Sequence, residues 1–317
     1  MTQTPTQGQD QISAWHRNLL IAAAVGCMLI IAMGGVLCVT QSIRSCPDWP
    51  GCFGRLFPPL ETSPILEFTH RVLAAGSGLL ILASAIAGLV RTRRLRWIFI
   101  PPLAAGVLLV EVSIFGALVV LHGIAPGWAA VDVGSALLVV ALMVTAAVIA
   151  TVRRQHPHLP DRLTFKSAYA RLAFSVVVVV YVVLVSGVLV AGRNSLTGCL
   201  GWPIYAPAVW KMDLQGVGNI LRLILSAAGV LLTIWLLVQT GRNRYRRPAI
   251  LRLAGWLLIS CLLEALLQAL LLVFGSRVLL LVGYTVCMAA IWGVLVALAA
   301  HIGLQADLDV LEFNRAI

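Results

Sequence analysis

The sequence predicts an all-α polytopic membrane protein: eight transmembrane helices in two parallel four-helix repeats, with both termini in the cytoplasm. Three observations lead there. First, the 317 residues are 60% hydrophobic and only 11% charged, with mean hydropathy +0.97, whereas a soluble domain carries about 25% charged residues. Second, the apolar residues fall in long unbroken runs, and a run of about 18 or more reads as a membrane span. Lipid offers no partner for free N–H and C=O groups, so such spans are helical. Third, features of the first half recur in the second at a fixed offset.

The runs cover residues 18–39, 66–90, 97–121, 128–152, 169–192, 214–240, 249–274 and 277–302. The first follows a polar stretch, Met1 to Ser13, that lacks a basic cluster. No small-residue cleavage site follows it, so it is read as a retained helix rather than a signal peptide. The connections alternate in charge. Arg91, Arg93, Arg94 and Arg96 separate runs two and three. Arg153, Arg154, Arg162, Lys166 and Arg171 lie around the link between runs four and five. Arg242, Arg244, Arg246, Arg247 and Arg252 flank the link between runs six and seven. With Arg17 and Arg315 they make sixteen basic residues on one side, against Arg44, Arg55, Arg193, Lys211 and Arg277 on the other. The positive-inside rule places the sixteen in the cytoplasm.

The connections holding Cys46–Pro59 and Cys199–Lys211 then face outward. The formal charge of +11 is the footprint of topology, which excludes nucleic acid as a partner and leaves membrane lipid. On this reading residues 1–17 are a cytoplasmic tail and 18–152 the first four-helix half. A cytoplasmic linker spans 153–168, the second half 169–303, and a second tail 304–317.

The repeat shows in Cys46-Pro-Asp-Trp49-Pro50 and Cys199-Leu-Gly-Trp202-Pro203, which align at an offset of 153. The same offset carries Glu111 onto Glu264, each inside an apolar run. Halves of four helices that both enter from inside are parallel repeats, related by an axis along the membrane normal.

Several residues carry candidate chemistry. Cys46 and Cys52 are spaced to close a small ring, with prolines and glycines supplying the turn. Outside the cytoplasm such a pair is oxidised, either as a staple or as a redox-active pair. Cys199 has Tyr205 where a second cysteine would fall, so its loop lacks a pair of its own. Cys27, Cys261 and Cys287 lie in apolar runs as core thiols. Glu67 and His70 are three apart at the head of the second run and so share a helix face. Ionisable groups in a membrane run are functional candidates by default, and histidine is the usual axial ligand of haem iron. The plainer reading is a helix-end pair bonded to headgroups or to the loop. Glu111 and Glu264 are either protonated and bonded across helices or part of a polar track. Asp132 is a site residue or a first-turn acid favoured by the helix dipole. His122 ends run three on the outer side, as a loop histidine or a ligand. His16, His156, His158 and His301 fall at cytoplasmic positions, so the second half has no histidine for an outward site.

The segment Gly34-Gly35, then Ser45-Cys-Pro-Asp-Trp-Pro-Gly-Cys52-Phe-Gly54, Pro58-Pro59 and Glu67-Phe-Thr-His70-Arg71-Val-Leu-Ala74 closely resembles the haem A synthase family. The detailed likeness covers about residues 34–75, and the eight-helix layout agrees along the chain. The resemblance implies an enzyme of the cytoplasmic or inner mitochondrial membrane that oxidises a methyl group of haem O to the formyl group of haem A, for terminal oxidases. It implies a substrate haem in the N-terminal half and a haem b in the C-terminal half, each held by histidines from the second and fourth helices of its half. By motif, His70 becomes an axial ligand, Glu67 assists oxidation by proton transfer or by placing a water, and Cys46 and Cys52 form the outer disulfide. Haem O synthase or an oxidase assembly complex is the implied partner.

The sequence departs from the family at three of the four expected ligands. Trp128-Ala-Ala-Val-Asp132 offers Asp132 in helix four. Gln215-Gly-Val-Gly-Asn219-Ile-Leu-Arg222 has no histidine in helix six, and Val282-Gly-Tyr284-Thr-Val-Cys287 none in helix eight. Asp132, Tyr284 and His122 are the substitutes on offer, and a bis-histidine haem b in the second half is ruled out. Three functions follow: a synthase working through its N-terminal half, a non-catalytic relative that binds one haem or none in a respiratory or photosynthetic complex, and a transporter routed past Glu111 and Glu264.

Overall fold

A computed structural model describes residues 12–123, 125–157, 162–190, 198–202, 214–242 and 248–315, with side chains except at 214–215 and 305–315. The described residues form eight helices: α1 (Ala14–Val39), α2 (Thr62–Arg91), α3 (Arg96–Leu121), α4 (Pro126–Gln155), α5 (Ala168–Val190), α6 (Leu214–Arg242), α7 (Pro248–Phe274) and α8 (Val278–Arg315). Each contains a stretch long and apolar enough to cross a membrane. Arg193, Pro203, Tyr205 and Lys211 lie outside the described residues, as do His158, Arg244, Arg246 and Arg247.

Local chemistry moves several helix ends from where hydropathy puts them. The Ser13 hydroxyl accepts the His16 N–H at 3.2 Å, an N-cap that starts α1 four residues before the apolar run. Ala14–Arg17 are thus helix, not tail. α2 begins at Thr62 because Pro64 sits in its first turn, where a missing N–H is harmless. α4 opens on Pro126 for the same reason. Asp132 is therefore in the second turn of α4, not the first, and the helix-dipole reading of it is corrected. α7 stops at Gly275, whose φ of +74° is the left-handed end that glycine adopts without strain. α8 continues to Arg315, so most of the expected C-terminal tail is helical.

In the first half, α1 packs on α2 and α4, and α3 on α2 and α4, closing a four-helix ring. In the second, α5 packs on α6 and α8, and α7 on α8, while α6 and α7 touch only lightly. The halves meet through α1, α4, α5 and α8. Without a hydrophobic drive between helices in lipid, close approach of small residues holds such contacts. A Cβ on Gly35 would lie 2.7 Å from Thr285 Cβ, and one on Gly293 would lie 2.5 Å from Met28 Sδ. Both pairs join α1 to α8. Trp292 is fully buried, and its indole N–H donates to Leu137 O of α4 at 3.1 Å. The flanking helices turn large apolar side chains outward, such as Val107 on α3 and Leu231 on α6.

Candidate functional site

The connection between α1 and α2 is folded around two side chains of α2. Glu67 is buried at 4% exposure. One carboxylate oxygen accepts the Cys46 N–H at 2.8 Å and the Ser45 hydroxyl at 3.0 Å. The other pairs with Arg71, one turn on, at 2.5 Å. Arg71 then reaches the loop itself. Its guanidinium donates to the carbonyls of Asp48 at 2.7 Å, Cys46 at 3.3 Å, Pro50 at 3.3 Å and Gly51. A guanidinium has five donors in a fixed fork and accepts nothing, so it suits a turn whose carbonyls converge.

Cys46 and Cys52 are disulfide-bonded, and both are fully buried. Beyond them Cys52 and Arg55 exchange backbone hydrogen bonds at 3.2 and 3.3 Å. The two residues between, Phe53 and Gly54, have φ of +56° and +65°. That is the two-residue hairpin turn in which both central residues are left-handed. Phe53 has no natural preference for that region. The Asp48 carboxylate holds it there, accepting the N–H of Phe53 and of Gly54 at 2.6 Å each. The Gly54 amide foremost, then those of Phe53 and Asp48 itself, and the nearby Arg71, keep the Asp48 carboxyl below the ordinary range. A cleft of about 570 Å³ opens beside the loop, where the end of α1, the start of α2 and the α7–α8 turn meet, lined in part by Ser42, Ser63, Leu66 and Ser276.

His70 faces elsewhere. Its Cε1 lies 3.6 Å from where a Cβ on Gly34 of α1 would stand. Its Nδ1 is buried without a hydrogen-bond partner. Glu67 and His70, expected to point into one site, stay within electrostatic range of each other, with the Glu67 oxygens bonded to the loop and the His70 ring beside Gly34 of α1. Gly34 and Gly35 divide similarly, one beside His70 and the other against Thr285.

The remaining site residues separate. His122 caps the end of α3 and is exposed. Asp132 is half-buried with Oδ1 unpartnered, and lies in electrostatic range of Glu111. Glu111 is also within range of Tyr181 on α5, and neither of its oxygens has a partner. Glu264 is buried in the other half beside Cys287 and Cys261, again with unpartnered oxygens. Among the described residues no three His, Cys, Asp or Glu side chains come together to hold a metal ion.

Two features were missed by sequence reasoning. Cys199 is disulfide-bonded to Cys38 at the end of α1, a cross-link between the halves. The signal was available: Cys199 lacked a partner in its loop, and Cys38 stood at the outer end of the first run. Arg71 and Arg222 are the other case. Arg222, which is buried, donates to Gly201 O. Arg71 thus holds the connection after α1, and Arg222 the connection after α5.

No family model matches the chain. Curated relatives do. The heme A synthase of Bacillus pumilus is 26% identical over 292 residues, covering 84% of this chain and 87% of the relative. That of Alkalihalophilus pseudofirmus is 26% identical over 253 residues, 74% of this chain and 80% of the relative. That of an Exiguobacterium species is 30% identical over 194 residues, 60% of this chain and 62% of the relative. The chain is similar to the haem A synthases along most of its length. The match to the Exiguobacterium protein spans somewhat less than two thirds of that relative's length. The stretch with the detailed likeness, Gly34 to Ala74, is the stretch built around Glu67, Arg71 and the Cys46–Cys52 bond.

Proposed function

We propose that this haem A synthase family protein binds haem O in its N-terminal half and oxidises one methyl group to a formyl group, yielding haem A for a terminal oxidase. The observation that carries this reading is His70: a buried ring nitrogen without a partner, next to a helix position that has no side chain. An imidazole so placed suits an iron ligand, and Gly34 leaves room beside it. The residues present fit a haem with one protein ligand from α2. Asp132 and His122 would be the weaker candidates for a further ligand. Bound there, a haem would supply the redox chemistry at its methyl group, which takes an oxygen atom from water and gives up four electrons and four protons to an external electron acceptor.

The protein's own contribution is positional. Arg71 and Glu67 fix the outer loop as a lid over the head of α2, with the Cys46–Cys52 bond holding its ends. Glu67 is already ion-paired in this arrangement. Proton transfer by Glu67 therefore requires the pair with Arg71 to loosen.

We further read the two halves as repeats, from 18–152 and 169–303, and both termini as cytoplasmic. The basic connections support the orientation. The similar arginine contacts support the repeat: Arg71 holds Asp48 O and Arg222 holds Gly201 O, the carbonyls 153 residues apart and the arginines 151. The disulfide loop then lies on the outer side of the cell membrane, and haem O synthase or an oxidase assembly complex is the partner.

A second reading, a one-haem accessory protein without oxidase chemistry, is favoured by the C-terminal half. There the residue before Arg222 is Leu221, 57% exposed, and Tyr284 stands where α8 would supply a histidine. Purification from cells that make haem O, followed by haem extraction, separates the two. Haem A on the protein supports the enzyme, and haem O alone supports the accessory role.

A further inference from the structure

The second outer connection behaves unlike the first. Trp49 of the first is 48% exposed, whereas Trp202, its counterpart at the offset of 153, is 3% exposed. The Trp202 ring enters the C-terminal bundle. Its Cζ2 and Nε1 lie 3.4 and 3.5 Å from a Cβ built on Gly229 of α6, and Val179 of α5 lies 3.5 Å from the same point. Gly229 is two turns inward of Arg222, so the indole sits well inside the helices. Leu200 is buried with it in the main core.

Three further attachments hold this segment. The disulfide ties Cys199 to Cys38. Arg222 donates to Gly201 O. The Tyr284 hydroxyl donates to Trp202 O at 3.0 Å, and itself accepts from Gln268 Nε2 at 3.4 Å. Tyr284 is buried and so committed. These are the residues a second haem would need: α6 offers Leu221 in place of a ligand, the α8 substitute is engaged, and the interior is filled. The C-terminal half does not fit a haem.

We infer that residues 198–202 form a plug that occupies the interior of the C-terminal half in place of a cofactor, so that the chain holds at most one haem. The plug does physical work. Removing a large flat group from between helices leaves their linings without contacts, and a tryptophan restores part of them. The indole N–H has no partner, so the ring is held by packing and by its backbone anchors. The disulfide to α1 and the bonds from Arg222 and Tyr284 each hold the segment from a different helix. The location of the one haem in the first half rests on the function proposed above; the plug does not.

The test uses the full-length protein in membranes from cells supplied with haem O. p-Benzoylphenylalanine replaces Trp202, the sample is irradiated, and cross-linked peptides are identified by mass spectrometry. The unaltered protein is assayed in parallel for haem per chain by the alkaline pyridine method, which needs no variant. The expected result is cross-linking to peptides that contain Val179 or Gly229, with a ratio no higher than about one. Cross-linking to lipid or to outer loops alone overturns the plug, as does a ratio near two. Internal cross-links with no haem at all uphold the plug and instead defeat the haem-binding reading of the first half.

Discussion

Glu67 accepts the backbone N–H of Cys46 at 2.8 Å, which ties the second helix to the first residue of the disulfide ring. The contact makes Glu67 an anchor of the loop between α1 and α2. A charged hydrogen bond in a buried place is worth about 1.5–3 kcal/mol. Removing one member of a buried ion pair costs about 3–5 kcal/mol. Glu67→Ala, which strands Arg71, is expected near the top of the first range or above it, read as a lowered thermal midpoint in detergent. Glu67→Gln keeps an acceptor for Cys46 and costs less. If Glu67→Gln retains bound haem and loses haem A, Glu67 moves a proton as well as holding the loop. If it retains both, its role is structural.

Gly35→Ala tests the seam between the halves. The added carbon would meet Thr285 Cβ at 2.7 Å, which is not the yielding tip of a long side chain. Overpacking of this kind costs about 1–3 kcal/mol, against a gain of up to about 1 kcal/mol in helix propensity. A net loss in thermal midpoint is expected. Gly293→Ala meets the flexible end of Met28 instead and should be nearly neutral. Equal effects from the two would contradict the packing described.

The eight spans were legible because lipid forces long apolar runs into helices, and a run does not depend on its neighbours. Helix ends were less so. Ser13 and Pro64 extend α1 and α2 into polar residues that hydropathy discounts, yet capping rules find them. The pairing of Glu67 with His70 was legible as spacing and not as direction: three residues apart gives one broad face, but the loop captured one side chain and Gly34 received the other. The Cys38–Cys199 bond and the burial of Trp202 belong to tertiary structure. No local pattern separates Trp49 from Trp202, since both precede a proline in similar loops. What differs is what each loop is tied to.

The cross-link between halves makes its own prediction. Non-reducing digestion and mass spectrometry should recover a peptide pair joined through Cys38 and Cys199, and another through Cys46 and Cys52. Cys38→Ser should lower stability, typically by about 2–4 kcal/mol, and leave Cys199 open to thiol reagents added from outside. A Cys199 that is freely labelled in the unaltered protein would contradict the bond.

Asp48 sets a pH dependence at the loop. Its carboxyl is held below the ordinary value by the Gly54 amide first, then by Phe53 and its own backbone. A depressed folded value means the contribution is present above the unfolded value, about 3.9. It fades as pH falls through the lower folded one. Proteolysis of the 46–55 loop should therefore stay slow down to about pH 4 and quicken only in stronger acid. Asp48→Asn should remove that acid transition, and an unchanged profile would remove Asp48 from the account.

The central claim is that His70 holds a haem in the first half and that haem O is oxidised there. The most direct measurement is the visible spectrum of the purified protein, oxidised and reduced, from cells making haem O, with extracted haems resolved by chromatography. The account predicts bound haem O accompanied by haem A, with both lost in His70→Ala while the protein remains folded. Haem retained unchanged in His70→Ala, or an unaltered protein that carries no haem, would contradict it.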